Sequence, residues 1–184
     1  MATPPDFSVG QVLTAAHMDA VGLWKVADVE ITGSAPTTVN VNDCFSSNYR
    51  NYRILWRIAT SSADPEIRFR LRVSSTDATT NYFTGGWLVD SAGTLNYSQN
   101  GDHSRWGIAY AAAANSTSGA MDIIGPNIAA NTSYYGNSVN STGAVARTVS
   151  LGGVHLTATA YTGFTLYAST GTMTGRILVY GYRD

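Results

Sequence analysis

The chain has 184 residues, which suits one domain with a core of its own. Its charged fraction of 12% is about half that of an ordinary soluble protein, and Gly, Ser, Thr and Asn fill more than a third of the positions. A net charge of −1 and an isoelectric point near 6.3 exclude a broad electrostatic grip on nucleic acid or anionic lipid, while a 44% hydrophobic content excludes a disordered chain.

The first two dozen residues read differently from the rest. Met1 to Asp6 lacks a basic stretch followed by an apolar run, so no secretory signal is expected, and no window is apolar enough for a membrane helix. After Pro4-Pro5 the apolar residues Phe7, Val9, Val12, Leu13, Met18, Leu23 and Trp24 form an attachment segment, with Thr14 capping a short helix over Ala15 to Val21. Two turns are not stable alone, so residues 1 to 24 must dock on the domain itself, on a sister subunit or on another protein.

From residue 25 to 184 period-two patterning dominates. Tyr52, Ile54, Trp56 and Ile58 alternate with Arg53, Leu55 and Arg57; Ile67, Phe69, Leu71 and Val73 alternate with Glu66, Arg68, Arg70 and Arg72. Ser61 to Pro65 reads as a hairpin-like connection between them. Further strands are expected at Val26–Thr32, Thr37–Val41, Tyr82–Val89, Trp106–Ala112, Ala120–Ile124, Val145–Leu151, His155–Ala160, Phe164–Ala168 and Arg176–Tyr182. Residues 113 to 144, poor in charge and rich in Asn, Ser, Thr and Gly, read as long polar loops around a central apolar stretch. Short strands with regular turn signals predict an all-β fold, an antiparallel β-sandwich that is jelly-roll-like, with the N-terminal arm and helix as its appendage.

Signals for catalysis are weak. His17, His103 and His155 are far apart, there is no Gly-x-Ser-x-Gly elbow, and Glu30 and Glu66 are the only glutamates. The single cysteine, Cys44, excludes an intrachain disulfide and a multi-cysteine zinc site. No catalytic residue, metal or cofactor is expected.

Two features point to binding instead. Arg53, Arg57, Arg68, Arg70 and Arg72 on two strands taken as neighbours would repel one another unless a partner supplies carboxylates or carbonyls, which marks a subunit interface ahead of an anionic ligand or a solvated face. Trp87, Tyr97, Trp106, Tyr134 and Tyr135 fall outside the clear core alternation and are candidates for a glycan-binding platform, since their rings pair an apolar face with a polar tip.

The string from Pro5 to Ala16, with Met18 and Gly22-Leu23-Trp24, resembles the opening of small tail-associated structural proteins of actinobacterial bacteriophages. Asp43 to Ser46 with Tyr49 and Asn51 to Ile54, Phe69 to Arg72 followed by Asn81-Tyr82, and the ending Gly171 to Tyr182 fit the same family. The resemblance implies a virion component, often an oligomeric fibre, tip or surface protein with a β-sandwich body; low charge with abundant Thr, Ser and Asn suits a symmetric oligomer expected to be a trimer, and the reading is a tail-fibre or tail-tip protein with other virion proteins and a bacterial surface glycan as expected partners. On that expectation residues 1 to 24 tie the subunit to the particle, and loops between about 81 and 140 face the host. A capsid decoration protein or head fibre is the alternative within the class, and a free carbohydrate-binding module the alternative outside it.

Overall fold

The computed structural model describes residues 10, 12, 22–32, 36–113, 115–142 and 145–182; the side chains of 96–102 and 142 lie outside the description. Thirteen strands run in chain order: β1 (Leu23–Ile31), β2 (Thr38–Val41), β3 (Asn51–Ser61), β4 (Glu66–Val73), β5 (Thr76–Asp77), β6 (Tyr82–Asp90), β7 (Leu95–His103), β8 (Trp106–Tyr110), β9 (Thr117–Ile124), β10 (Thr132–Thr142), β11 (Val145–His155), β12 (Gly163–Ala168) and β13 (Met173–Tyr182). The predicted helix over residues 15 to 21 lies outside the described residues.

All pairings are antiparallel and form two layers. The larger sheet runs β1-β13-β3-β9-β10-β11-β6-β7; the smaller runs β2-β12-β4, with β5 and β8 on the far side of β4. Eight of these strands, β1 to β4, β8, β9, β12 and β13, have jelly-roll order. In that set of eight, the first, eighth, third and sixth form one layer, and the second, seventh, fourth and fifth form the other. Two inserted hairpins, β6–β7 and β10–β11, join through β11 and β6 and extend the larger sheet past β9.

Alternation explains the core. Tyr52, Ile54, Trp56 and Ile58 on β3 and Ile177 and Val179 on β13 face Ile67, Phe69 and Leu71 on β4 and Phe164 and Leu166 on β12, all buried. Phe69 stacks on Phe164 with centroids 4.7 Å apart. The inserted hairpins close over β8, where Trp106 meets Tyr82 at 5.2 Å and Tyr134 at 4.5 Å. Burying these rings contributes on the order of 2 kcal/mol or more each.

Several expected boundaries move. Ser61 to Pro65 is no hairpin: β3 and β4 lie in opposite layers, and the segment crosses between them. The chain leaves strand conformation after His155, so Leu156 to Ala160 is irregular. The expected loop over 113–144 contains all of β9 and all of β10, and residues 81–140 are mostly sheet rather than outward loops. On β10 the buried set Thr132, Tyr134, Ser138 and Asn140 is largely polar, so its inward face carries little hydrophobic contrast.

Candidate functional site

The outer face of the larger sheet is ordered in cross-strand rows. One row runs Tyr180, Arg53, Asp122, Tyr135, Gly152, Gly85; the next runs Leu178, Leu55, Ala120, Asn137, Ser150, Trp87; the third runs Arg176, Arg57, Ser118, Val139, Thr148, Val89. On β10, β11 and β6 none of these positions carries a charge. Trp87 is 45% exposed, Tyr135 59% and Val139 51%, and Leu95 opposite Val89 is also exposed. Together they make an apolar band on one side of the sandwich.

Within the band Gly85 and Gly152 are register partners and floor a shelf. A Cβ built on Gly85 would meet nothing within 4 Å, so the space above it is open. Tyr135 follows Gly152 across the sheet, and Trp87 stands two residues from Gly85 on the same face. Tyr97 is Trp87's register partner, and its side chain lies outside the described residues.

The structure splits the five aromatic candidates. Trp87 and Tyr135 share the open face, whereas Trp106, 0% exposed, and Tyr134 are core residues and cannot present a platform. Tyr134 and Tyr135 are neighbours in sequence, and strand geometry sends them to opposite sides. The sequence pattern offered no warning because Tyr134 sits among polar inward neighbours. The glycine shelf was missed for a related reason: single glycines in strands read as weak points rather than as a floor.

The five arginines are also split. Arg53 and Arg57 point from the larger sheet and Arg68, Arg70 and Arg72 from the smaller, so they do not form one face. Most find partners within the chain, which removes the premise that a sister subunit must supply them. Arg53 lies 3.6 Å from Asp122, whose carboxylate also accepts from the Tyr182 hydroxyl. The Tyr182 and Asp122 contacts raise the Arg53 pKa, while burial and Asp122 raise that of Tyr182. Arg68 donates to Glu66 at 2.6 Å and Arg72 to Asp77 at 2.6 Å. Arg57 makes no ion pair among the described residues.

Of the attachment residues, Phe7, Val9, Leu13 and Met18 lie outside the described residues, and Val12 is exposed. Leu23 and Trp24 belong to β1, paired with Tyr182 and Gly181, so the sandwich begins two residues before the expected boundary.

Beside the third row a groove of about 480 Å3 lies between Arg57, Arg176 and Glu30, over Leu55 and Leu178. Asp28 on the same edge receives both Arg176 and Lys25, which hold its carboxyl at about 2. Cys44 is buried and its thiol is pushed up to about 12 by desolvation, so it is not a poised nucleophile at neutral pH. Among the described residues no group of three or more His, Cys, Asp or Glu is placed to hold a metal ion, and no helix is long and apolar enough to cross a membrane. No protein-family model matches the chain, and neither a curated protein nor a solved structure matches it.

Proposed function

We propose that the protein is a bacteriophage virion structural subunit of tail-fibre or tail-tip type, assembling with copies of itself as a symmetric oligomer, with a trimer as the expected form. The observation that carries this reading is the jelly-roll sandwich with one broad, uncharged face exposing Tyr135, Val139, Trp87 and Leu95. The centre of a subunit interface has this composition, apolar and aromatic with charge displaced to the rim, where Arg53, Arg57 and Arg176 stand. On this reading the occupant of that face is a second copy of the chain. The sequence resemblance to phage tail proteins supplies the particle.

The test is incorporation of a variant lacking residues 1–21, which leaves β1 whole. The reading expects a folded protein that no longer enters particles; normal incorporation would overturn the attachment role of the N-terminal segment.

A second reading, a carbohydrate-binding module, is favoured by the Gly85–Gly152 shelf beside Trp87 and Tyr135. An open glycine floor flanked by rings matches the apolar face of a neutral sugar. A monomer that binds neutral oligosaccharide and loses binding on Trp87→Ser would put this reading first.

A further inference from the structure

The outer face of the smaller sheet gathers more positive charge than its carboxylates neutralise. Arg68, Arg70 and Arg72 reach it from β4, and Arg105, just ahead of β8, reaches it from the side. Glu66 Oε2 accepts from Arg68 Nε at 2.6 Å and from Arg105 Nη2 at 3.1 Å. Asp77 accepts from Arg72 at 2.6 Å and lies 3.8 Å from Arg70. Four guanidinium groups thus share two carboxylates in a chain whose total charge is −1.

The cations are also held in place. The Arg70 guanidinium lies 4.9 Å from the centroid of the Tyr167 ring, and its Nε donates to the Ser104 carbonyl at 2.9 Å. Gly107 allows Glu66 its position, because a Cβ there would collide with the Glu66 carboxylate. Burial raises the Tyr167 phenol; Arg70, Arg105 and Arg68 each oppose that rise and Glu66 adds to it. Arg105 Nε is buried and lacks a hydrogen-bond partner among the described residues. With side-chain exposures of 27%, 26% and 21%, Arg68, Arg70 and Arg105 are recessed rather than projecting.

We propose that this patch is an oxyanion-binding site, in which Arg68, Arg70 and Arg105 around Tyr167 take one carboxylate, sulfate-ester or phosphate-ester group of a small polar ligand such as an acidic sugar. Arginine's planar fork suits such a group. An excess of two charges over these part-buried side chains fits a single anionic group, whereas a nucleic-acid backbone needs a row of cations. The site is on the opposite layer from the apolar band, so it stands or falls independently of the virion reading.

The test titrates the full-length protein with sodium glucuronate, sodium sulfate and inorganic phosphate, following arginine Nε–Hε resonances by NMR, with glucose as the neutral control. Saturable shifts at Arg68, Arg70 and Arg105 with a midpoint of about millimolar are expected, and Arg105→Gln should raise the midpoint about tenfold. Arg68→Gln provides a second variant, and Arg57→Gln should leave the midpoint unchanged. Saturation by glucuronate alone assigns a carboxylate ligand; saturation by sulfate or phosphate alone assigns an ester. The proposal is overturned by no saturation with any of the three, by equal shifts at Arg53 and Arg57, or by midpoints that neither variant moves.

Discussion

Arg72 Nη1 and Asp77 Oδ1 lie 2.6 Å apart on the outer face of the smaller sheet, with the Arg72 side chain only 7% exposed. The same nitrogen reaches Thr165 Oγ1 at 2.7 Å and Asn40 Oδ1 at 2.9 Å, so one cation ties β4 to β5, β12 and β2. Removing the carboxylate strands a desolvated guanidinium. Asp77→Ala should cost about 3 kcal/mol in urea unfolding, and a loss below about 1 kcal/mol would show that the pair is solvated like an ordinary surface bridge.

Two glycines on adjacent strands should respond oppositely. A Cβ on Gly153 would collide with the Phe83 carbonyl and lie 2.7 Å from the Tyr134 ring, while one on Gly85 would meet nothing. Gly153→Ala should therefore lose about 2 kcal/mol or more, and Gly85→Ala should be neutral or stabilising by up to about 1 kcal/mol. Thermal denaturation of both variants checks the pair. If they shift equally, the close packing of β11 on β6 is wrong.

His155 gives stability a dependence on acid. It is buried between Tyr82, at 4.3 Å, and Tyr161, at 5.4 Å, with Asp77 across a small pocket. Its Nδ1 lies 3.2 Å from the Tyr161 hydroxyl and 3.4 Å from the Thr157 amide. Burial lowers its pKa below the ordinary 6.5. The unfolded chain then binds the proton more readily than the folded one, so stability is fully present above about pH 6.5 and falls as the pH drops through the lower folded value. The loss should be absent in His155→Gln, measured as melting temperature between pH 7.5 and 5. A wild type and variant with the same pH slope would refute the assignment.

The proposed assembly through the apolar band makes Trp87 a reporter. Trp56 and Trp106 are buried, Trp24 is half-buried and Trp87 is 45% exposed, so Trp87→Phe should remove the larger part of the iodide-quenchable fluorescence of the subunit at low concentration. In the oligomer that quenching should already be gone, and Val139→Asp should restore it while lowering the sedimentation coefficient. Quenching that persists in an intact oligomer would place the interface elsewhere.

Strands β3 and β4 were legible because Tyr52, Ile54, Trp56 and Ile58, and Ile67, Phe69 and Leu71, recur at every second position and so fall on one side of each strand. Their assignment to different layers was not, since Asp64-Pro65 suits a hairpin and a crossing equally well. β10 escaped because Ser138 and Asn140 point inward as polar residues. The candidate surfaces were legible only in part. Trp87 and Tyr135 announce themselves as aromatic, but adjacent Tyr134 looks identical until parity is known, and Arg105 and Tyr167 join Arg68 and Arg70 through pairings that no local pattern contains.

The proposed place of the protein at the tail of a phage particle is tested most directly by immunogold electron microscopy of intact particles with antibody against residues 25–184. Gold confined to the tail end is the predicted result. Gold over the head, or particles free of gold where a control shows the epitope accessible, would contradict the tail assignment, and the second outcome would remove the virion reading altogether.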